Sequence, residues 1–195
     1  MRFILALALI AFSTPALAAP NNYILEKPHT QIVFSIGHMG LSHSYGKFTD
    51  FDGKIQFDPT QPEKGTVNVT IKTASLDLND ATWNEHTAAD KLLDAANFPE
   101  MTFESTSIKV TGEKTADITG NLTLHGVTKP VVLATIYNQS IKHPMAPKMM
   151  AGFSATTTIK RSDFGISYGI PMIDDEVKII IEVEAECTDC VVENE

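Results

Sequence analysis

Basic residues are scarce in this chain. Lys and Arg number 15 against 24 Asp and Glu, a formal net charge of -9. The few cations form no dense stripe, which argues against a polyanion-binding face and hence against nucleic acid. Cysteine is scarcer still, with two residues, Cys187 and Cys190, in a "CTDC" tail. A thioredoxin-like pair opens a helix beside a βαβ unit, and no such unit is visible. Haem attachment requires His after the second Cys, where Val191 stands. One pair of thiolates is half a zinc site. A local disulfide or two idle thiols are the readings left open, and because the pair lies beyond the last strand's alternation it is expected to be dispensable for folding. Neither a Gly-x-Ser-x-Gly elbow nor a zinc motif occurs, so no catalytic residue, metal or cofactor is assigned and the chain is read as a non-enzyme. Past the N-terminus no apolar run is long enough to cross a bilayer. Repeats, low-complexity tracts and linkers are lacking too.

The start of the chain is distinctive. "MRFILALALIAFSTPALA" has a positive charge at Arg2, an apolar run from Phe3 to Phe12 and a small-residue site at Ala16 to Ala18. That is the three-part pattern of a secretory signal peptide, with cleavage expected after Ala18 and the periplasm as the expected location. Residues 19–195, about 175 in number, suit one domain with a sizeable core.

Alternation dominates the rest. Val67, Val69 and Ile71 share one face of "VNVTIKT". Phe153, Ala155, Thr157 and Ile159 share one face of "AGFSATTTIK", and Val177, Ile179, Ile181 and Val183 one face of "EVKIIIEVEAE". Side chains on a strand point to opposite faces with period two, so each segment is a half-buried strand. Similar runs occur over 31–37, 54–57, 101–110, 117–124 and 131–137, with turn signals such as "TGEK" and "HGVTKP" between them. About eight antiparallel strands are expected, as a closed barrel or as a two-sheet sandwich; periodicity does not separate these. One segment, "TWNEHTAADKLLDAANFP", predicts one or two helical turns. Thr82 and Glu85 have capping-box spacing and Pro99 stops the run.

"GHMGLSHSYGKF" sets His38 and His43 five residues apart among Gly37, Gly40 and Gly46. His86, His125, Asp50 and Asp52 are further potential ligands, but no two residues have a recognised metal-binding spacing. The glycines suit a strand that bulges at a barrel rim, with the histidines on that rim and no metal between them.

These segments resemble the YceI-like family of bacterial periplasmic proteins. The resemblance runs from Tyr23 to about Glu186 and is carried by "FSIGHMGLSHSYGKFTDFDGKIQFD", "NFPEMTFESTSI", "ITGNLTLHGVTKPV" and "AGFSATTTIKRSDFGI". It implies an all-β, lipocalin-like antiparallel barrel whose apolar cavity binds a polyisoprenoid or other long-chain lipid, an isoprenoid quinone among them, for transport, storage or sequestration. The residues expected to line such a cavity are Phe34, Ile36, His38, Phe48, Val69, Ile71, His86, Phe103, Leu122, Leu124, Phe153 and Ile179. An alternative is a stress-response or redox-partner module with structural lipid. Its implied partner is a membrane b-type cytochrome or another periplasmic protein. The oligomeric state is open, a homodimer included. The chain departs from the family pattern at "TWNEHT": Trp83 and Asn84 stand where Arg and Asp are common, His86 is kept, and Thr87 replaces Leu.

Overall fold

The computed structural model describes residues 19–192. The expected signal peptide, residues 1–18, lies outside them. Eleven strands and one α-helix follow in chain order: β1 (Asn21–Leu25), β2 (Gln31–His38), β3 (Ser42–Phe48), β4 (Phe51–Phe57), β5 (Thr66–Lys72), β6 (Leu76–Asp77), α1 (Ala81–Ala88), β7 (Glu100–Val110), β8 (Thr115–Leu124), β9 (Val127–Lys142), β10 (Met149–Lys160) and β11 (Ile173–Cys187).

Eight of the strands close a ring in the order β1, β4, β5, β7, β8, β9, β10, β11, with β11 bonded back to β1. Every pairing is antiparallel. This is the expected barrel, and closure removes the edges that a sandwich would leave open. The other three strands extend the wall upward. β11 pairs with β1 through Ala185–Cys187 and with β2 through Val177–Glu182, so β1 and β2 occupy one edge in tandem. A short turn at Lys27–His29 separates them, and Glu26 N–H donates to the Glu184 carbonyl across the break. β3 and β4 likewise form one long strand interrupted at Thr49–Asp50, and β5 and β6 one interrupted at Thr73–Ser75.

The stretch containing His38 and His43 is a regular β2–β3 hairpin whose turn reaches the upper rim, without the expected bulge. Its turn is confined to residues 39–41, where Met39 and Gly40 take φ of 55° and 67°. Gly37 and Gly46 lie within strands and are needed for space, not for backbone angle. A Cβ on Gly37 would run into the Asp174 carboxylate, and one on Gly46 into the Phe34 ring and Leu78. The helix also begins differently from the capping-box expectation. Asp80 is the N-cap, its carboxylate accepting the Trp83 N–H at 2.9 Å, so Thr82 lies inside α1.

Among the described residues β6 pairs with β3 alone, so the upper wall parts between β6 and β7. The segment carrying α1 spans that gap. Its C-terminal end is pinned by Thr73, whose N–H donates to the Pro99 carbonyl and whose hydroxyl donates to the Phe98 carbonyl at 2.7 Å. On the side of β1, β4, β10 and β11 the lower end is filled by Tyr23, Ile55, Phe57, Ala151, Ala185 and Cys187, packed with Tyr137 and Phe153.

Candidate functional site

The inward faces of the strands enclose a cavity of about 570 Å³. Alternation makes it apolar, because every second residue of a half-buried strand points in and those positions carry Ile, Val, Leu and Phe. β2 contributes Phe34, Ile36 and His38; β3, Phe48; β5, Val69 and Ile71; β7, Phe103; β8, Leu122 and Leu124; β10, Phe153; β11, Ile179; and α1, His86. All twelve residues expected at the site therefore surround one space.

The cavity has distinct ends. At the upper mouth the His38 and Trp83 rings lie 6.2 Å apart, and His86 meets Tyr168 edge-on at the same distance. Lys91 Nζ sits 5.4 Å from the Tyr168 ring centroid, within cation–π range. The middle is aliphatic and aromatic, with Phe34 and Phe48 rings 5.9 Å apart. At the floor Phe57, Tyr137 and Phe153 cluster with ring separations of 4.9, 5.0 and 5.7 Å. The Tyr137 hydroxyl donates to Ser140 Oγ at 2.9 Å, so this polar tip is satisfied beside an apolar space. The lining continues down to Pro62, Val110 and Lys114, where β5 and β7 part below Asn68 and Glu104. There Val67 N–H donates to Ser105 Oγ at 2.8 Å in place of a ladder bond.

His38 and His43 do not share a site. His38 is paired with Ser42 and His43 with Gly37, so the two rings fall on opposite faces of the β2–β3 ribbon, one inward and one exposed. Two other groups of potential metal ligands occur among the described residues. In Glu26, His29 and Glu184, the Glu26 carboxylate caps the turn between β1 and β2 by accepting the His29 N–H at 3.0 Å. In Cys187, Asp189 and Cys190, the sulfurs are joined as a disulfide.

That disulfide corrects the placement of the tail. Cys187 is the last residue of β11, paired with Tyr23 and buried, rather than beyond the sheet. Asp189 accepts both the Asn22 N–H and its side-chain amide, and Thr188 N–H donates to the Asn22 carbonyl. The tail thus clasps β1 where the barrel closes. Burial pushes the nearby Tyr23 phenol up from its ordinary value.

Arg161 was not anticipated. It is buried, lines the cavity, and donates only to backbone carbonyls: Asp174 at 2.9 Å, Ile166 at 3.1 Å, Tyr168 at 2.8 Å and Ile173 at 2.9 Å. Desolvation lowers its pKa, opposed by Asp175. The signal was present in the sequence, since Arg161 continues the inward parity of Phe153, Ala155, Thr157 and Ile159. Phe57 and Tyr137 carry the same signal on β4 and β9. At the family's departure, Asn84 Oδ1 accepts the Leu78 N–H at 2.7 Å, bracing α1 against the wall, while Trp83 faces the mouth.

A family model for the YceI-like domain matches residues 23–185, the length of this barrel. The chain belongs to the YceI-like family. A UPF0312 protein of Pseudomonas savastanoi pv. phaseolicola is 44% identical to this YceI-like protein over 167 residues, 83% of the chain and 86% of the relative. The crystal structure of the Campylobacter jejuni YceI protein superposes with a TM-score of 0.69 at 33% identity, covering 82% of this chain and 91% of that one. A polyisoprenoid binding domain from Saccharophagus degradans, implicated in plant cell wall breakdown, superposes at 0.66 with 17% identity, covering 85% and 98%. At that identity the likeness is one of fold.

Proposed function

We propose that this YceI-like protein is a periplasmic, non-catalytic lipid-binding protein that holds a polyisoprenoid chain, an isoprenoid quinone among the candidates, for transport, storage or sequestration. The observation that carries the reading is the cavity: about 570 Å³ of apolar space running through the barrel, with polar and aromatic groups gathered at one mouth. Its volume is in the range of small-molecule sites, which are typically about 300–1,000 Å³. The ligand class named for the Saccharophagus barrel supports the choice of chain. The signal-peptide pattern supports the location.

Burying a chain relative to water contributes about 0.8 kcal/mol per CH₂. Between bilayer and barrel the chain exchanges one apolar surrounding for another, so the net difference is small and both loading and release are permitted. The mouth suits a head group. His38, His86, Trp83 and Tyr168 offer ring faces and ring nitrogens, whereas Arg161 is committed to carbonyls. Mass spectrometry of an organic extract of natively purified protein tests the reading. Stoichiometric isoprenoid is expected; lipid-free protein from a host that makes isoprenoid quinones refutes it.

A further inference from the structure

The two ends of the barrel present different surfaces to solvent. Around the upper mouth, Met39 and Leu41 in the β2–β3 turn, Trp83 on α1, and Tyr168, Ile170 and Met172 in the β10–β11 loop are all exposed. Leu41 is 80% exposed and Met172 54%. The groups are joined: Met39 N–H donates to the Met172 carbonyl at 2.6 Å, Ile173 pairs with His38, and His38 meets Trp83. Arg161 holds the loop that carries Tyr168 and Met172 from below, so the rim is set in place before anything binds. At the other end Met145, 88% exposed, stands in the β9–β10 connection, and Val110, Ile141 and Val191 are exposed there as well, but the loops of that end are not braced over the mouth by an Arg161. Single exposed apolar residues are ordinary, but a contiguous rim around the mouth of an apolar cavity marks an interaction surface.

We propose that this rim docks the cavity mouth on the surface of a zwitterionic lipid bilayer, so that an apolar chain passes between membrane and barrel without crossing water. The charges beside the rim select that partner. Asp80, Glu85, Asp163 and Asp174 are exposed in the segments that carry it, Lys160 at the end of β10 is paired across the strands with Glu176, and Lys91 is engaged with the Tyr168 ring. With a chain charge of -9, anionic lipid repels this face, and insertion of apolar side chains supplies the attraction. The purpose of docking rests on the lipid reading of the cavity, but the docking itself is measured separately.

The test is co-sedimentation of the full-length mature protein with phosphatidylcholine vesicles, alone or with part of the lipid replaced by phosphatidylglycerol. Wild type is compared with Leu41→Asp, with the Leu41→Asp, Met172→Asp double variant, and with Met145→Asp. Trp83 is the chain's one tryptophan, so its emission reports the rim directly and should shift to the blue on vesicle binding. Wild type and Met145→Asp should bind phosphatidylcholine alike, the double variant on the order of tenfold more weakly or less, and phosphatidylglycerol should weaken binding at low salt. The single variant, altered at one 80% exposed turn residue, tests the rim without disturbing the fold. Wild type that ignores vesicles, rim variants that bind as well as wild type, or binding strengthened by anionic lipid overturns the proposal. So does concentration-dependent self-association abolished by Leu41→Asp, because the rim would then belong to a second copy. Lipid extracted from the same samples separates the two readings. A loaded barrel with an inert rim overturns docking alone, and an empty barrel with a vesicle-binding rim overturns the lipid reading alone.

Discussion

Replacing Leu122 by Trp distinguishes a cavity from a filled core. Leu122 stands on β8 opposite Phe103 of β7 and Lys129 of β9, and its side chain lines the cavity between two buried clusters. In a close-packed interior the extra ring atoms cost about 1–3 kcal/mol through displaced neighbours and strained rotamers. For a domain of this size each kcal/mol lowers the melting temperature by about 2–4 °C, giving a fall of about 2–12 °C. Where the indole enters empty space, the lipid-free protein should instead melt within about 2 °C of wild type. The ligand then bears the effect. An indole that excludes about two methylenes of chain removes about 1.6 kcal/mol of burial relative to water, roughly a fifteenfold loss. The assays are thermal melting of delipidated protein and isoprenoid per protein by mass spectrometry on natively purified samples. Delipidated samples are needed for melting because bound lipid itself raises the transition. A variant that melts many degrees lower while keeping its full lipid load refutes the cavity reasoning.

Arg161→Met removes the donor to four backbone carbonyls of the mouth loop and the start of β11; with those groups partly rehydrated the expected loss is about 3 kcal/mol, read as a melting temperature lower by about 6–12 °C. A change of under a degree contradicts the bracing role. The Cys187→Ser, Cys190→Ser double variant opens a short loop at the β1–β11 seam, and loop entropy predicts a loss of about 2 kcal/mol, about 4–8 °C, which equal melting of oxidised and reduced wild type would contradict. Asp175 accepts the Ser162 N–H and hydroxyl, which hold its pKa below the ordinary 3.8. Asp58, Asp77 and Asp189 are lowered in the same direction by their own hydrogen bonds. A carboxyl depressed in the folded state contributes stability above its unfolded pKa and loses it as pH falls through the folded value. Melting temperature should therefore drop below about pH 4, and Asp175→Asn should show a shallower acid limb, with an unchanged limb counting against this assignment.

Much of the barrel was legible as period two. The inward sets of β5, β10 and β11 follow from alternation, and the cavity is lined by the residues that alternation selects. The legibility failed where two requirements produce one residue type. Gly37 and Gly46 read as sites of unusual backbone angle, yet they serve the Asp174 carboxylate and the Phe34 ring, neighbours supplied by distant or adjacent strands. Cys187 and Cys190 could be idle or bonded on the chain alone. Pairing of Cys187 with Tyr23, 164 positions away in the chain, puts them in the closing seam.

Local chemistry in the sequence determined strand and turn identity, the inward face of each strand and the apolar character of whatever that face encloses. Those properties depend on a residue and its near neighbours, through side-chain direction and turn conformation. Only the tertiary structure decided that the sheet closes, that a space is left inside, and that Met39, Leu41, Trp83, Tyr168, Ile170 and Met172 meet around the upper mouth. Closure depends on β11 meeting β1 and β2 across the whole chain. The empty volume is a difference between the ring's size and the side chains that fill it, and no single strand contains that difference. Arg161 shows the same division. Its inward parity continues that of β10, while the four carbonyls that make its burial tolerable are brought to it by the loop folding back over the barrel mouth and by the start of β11.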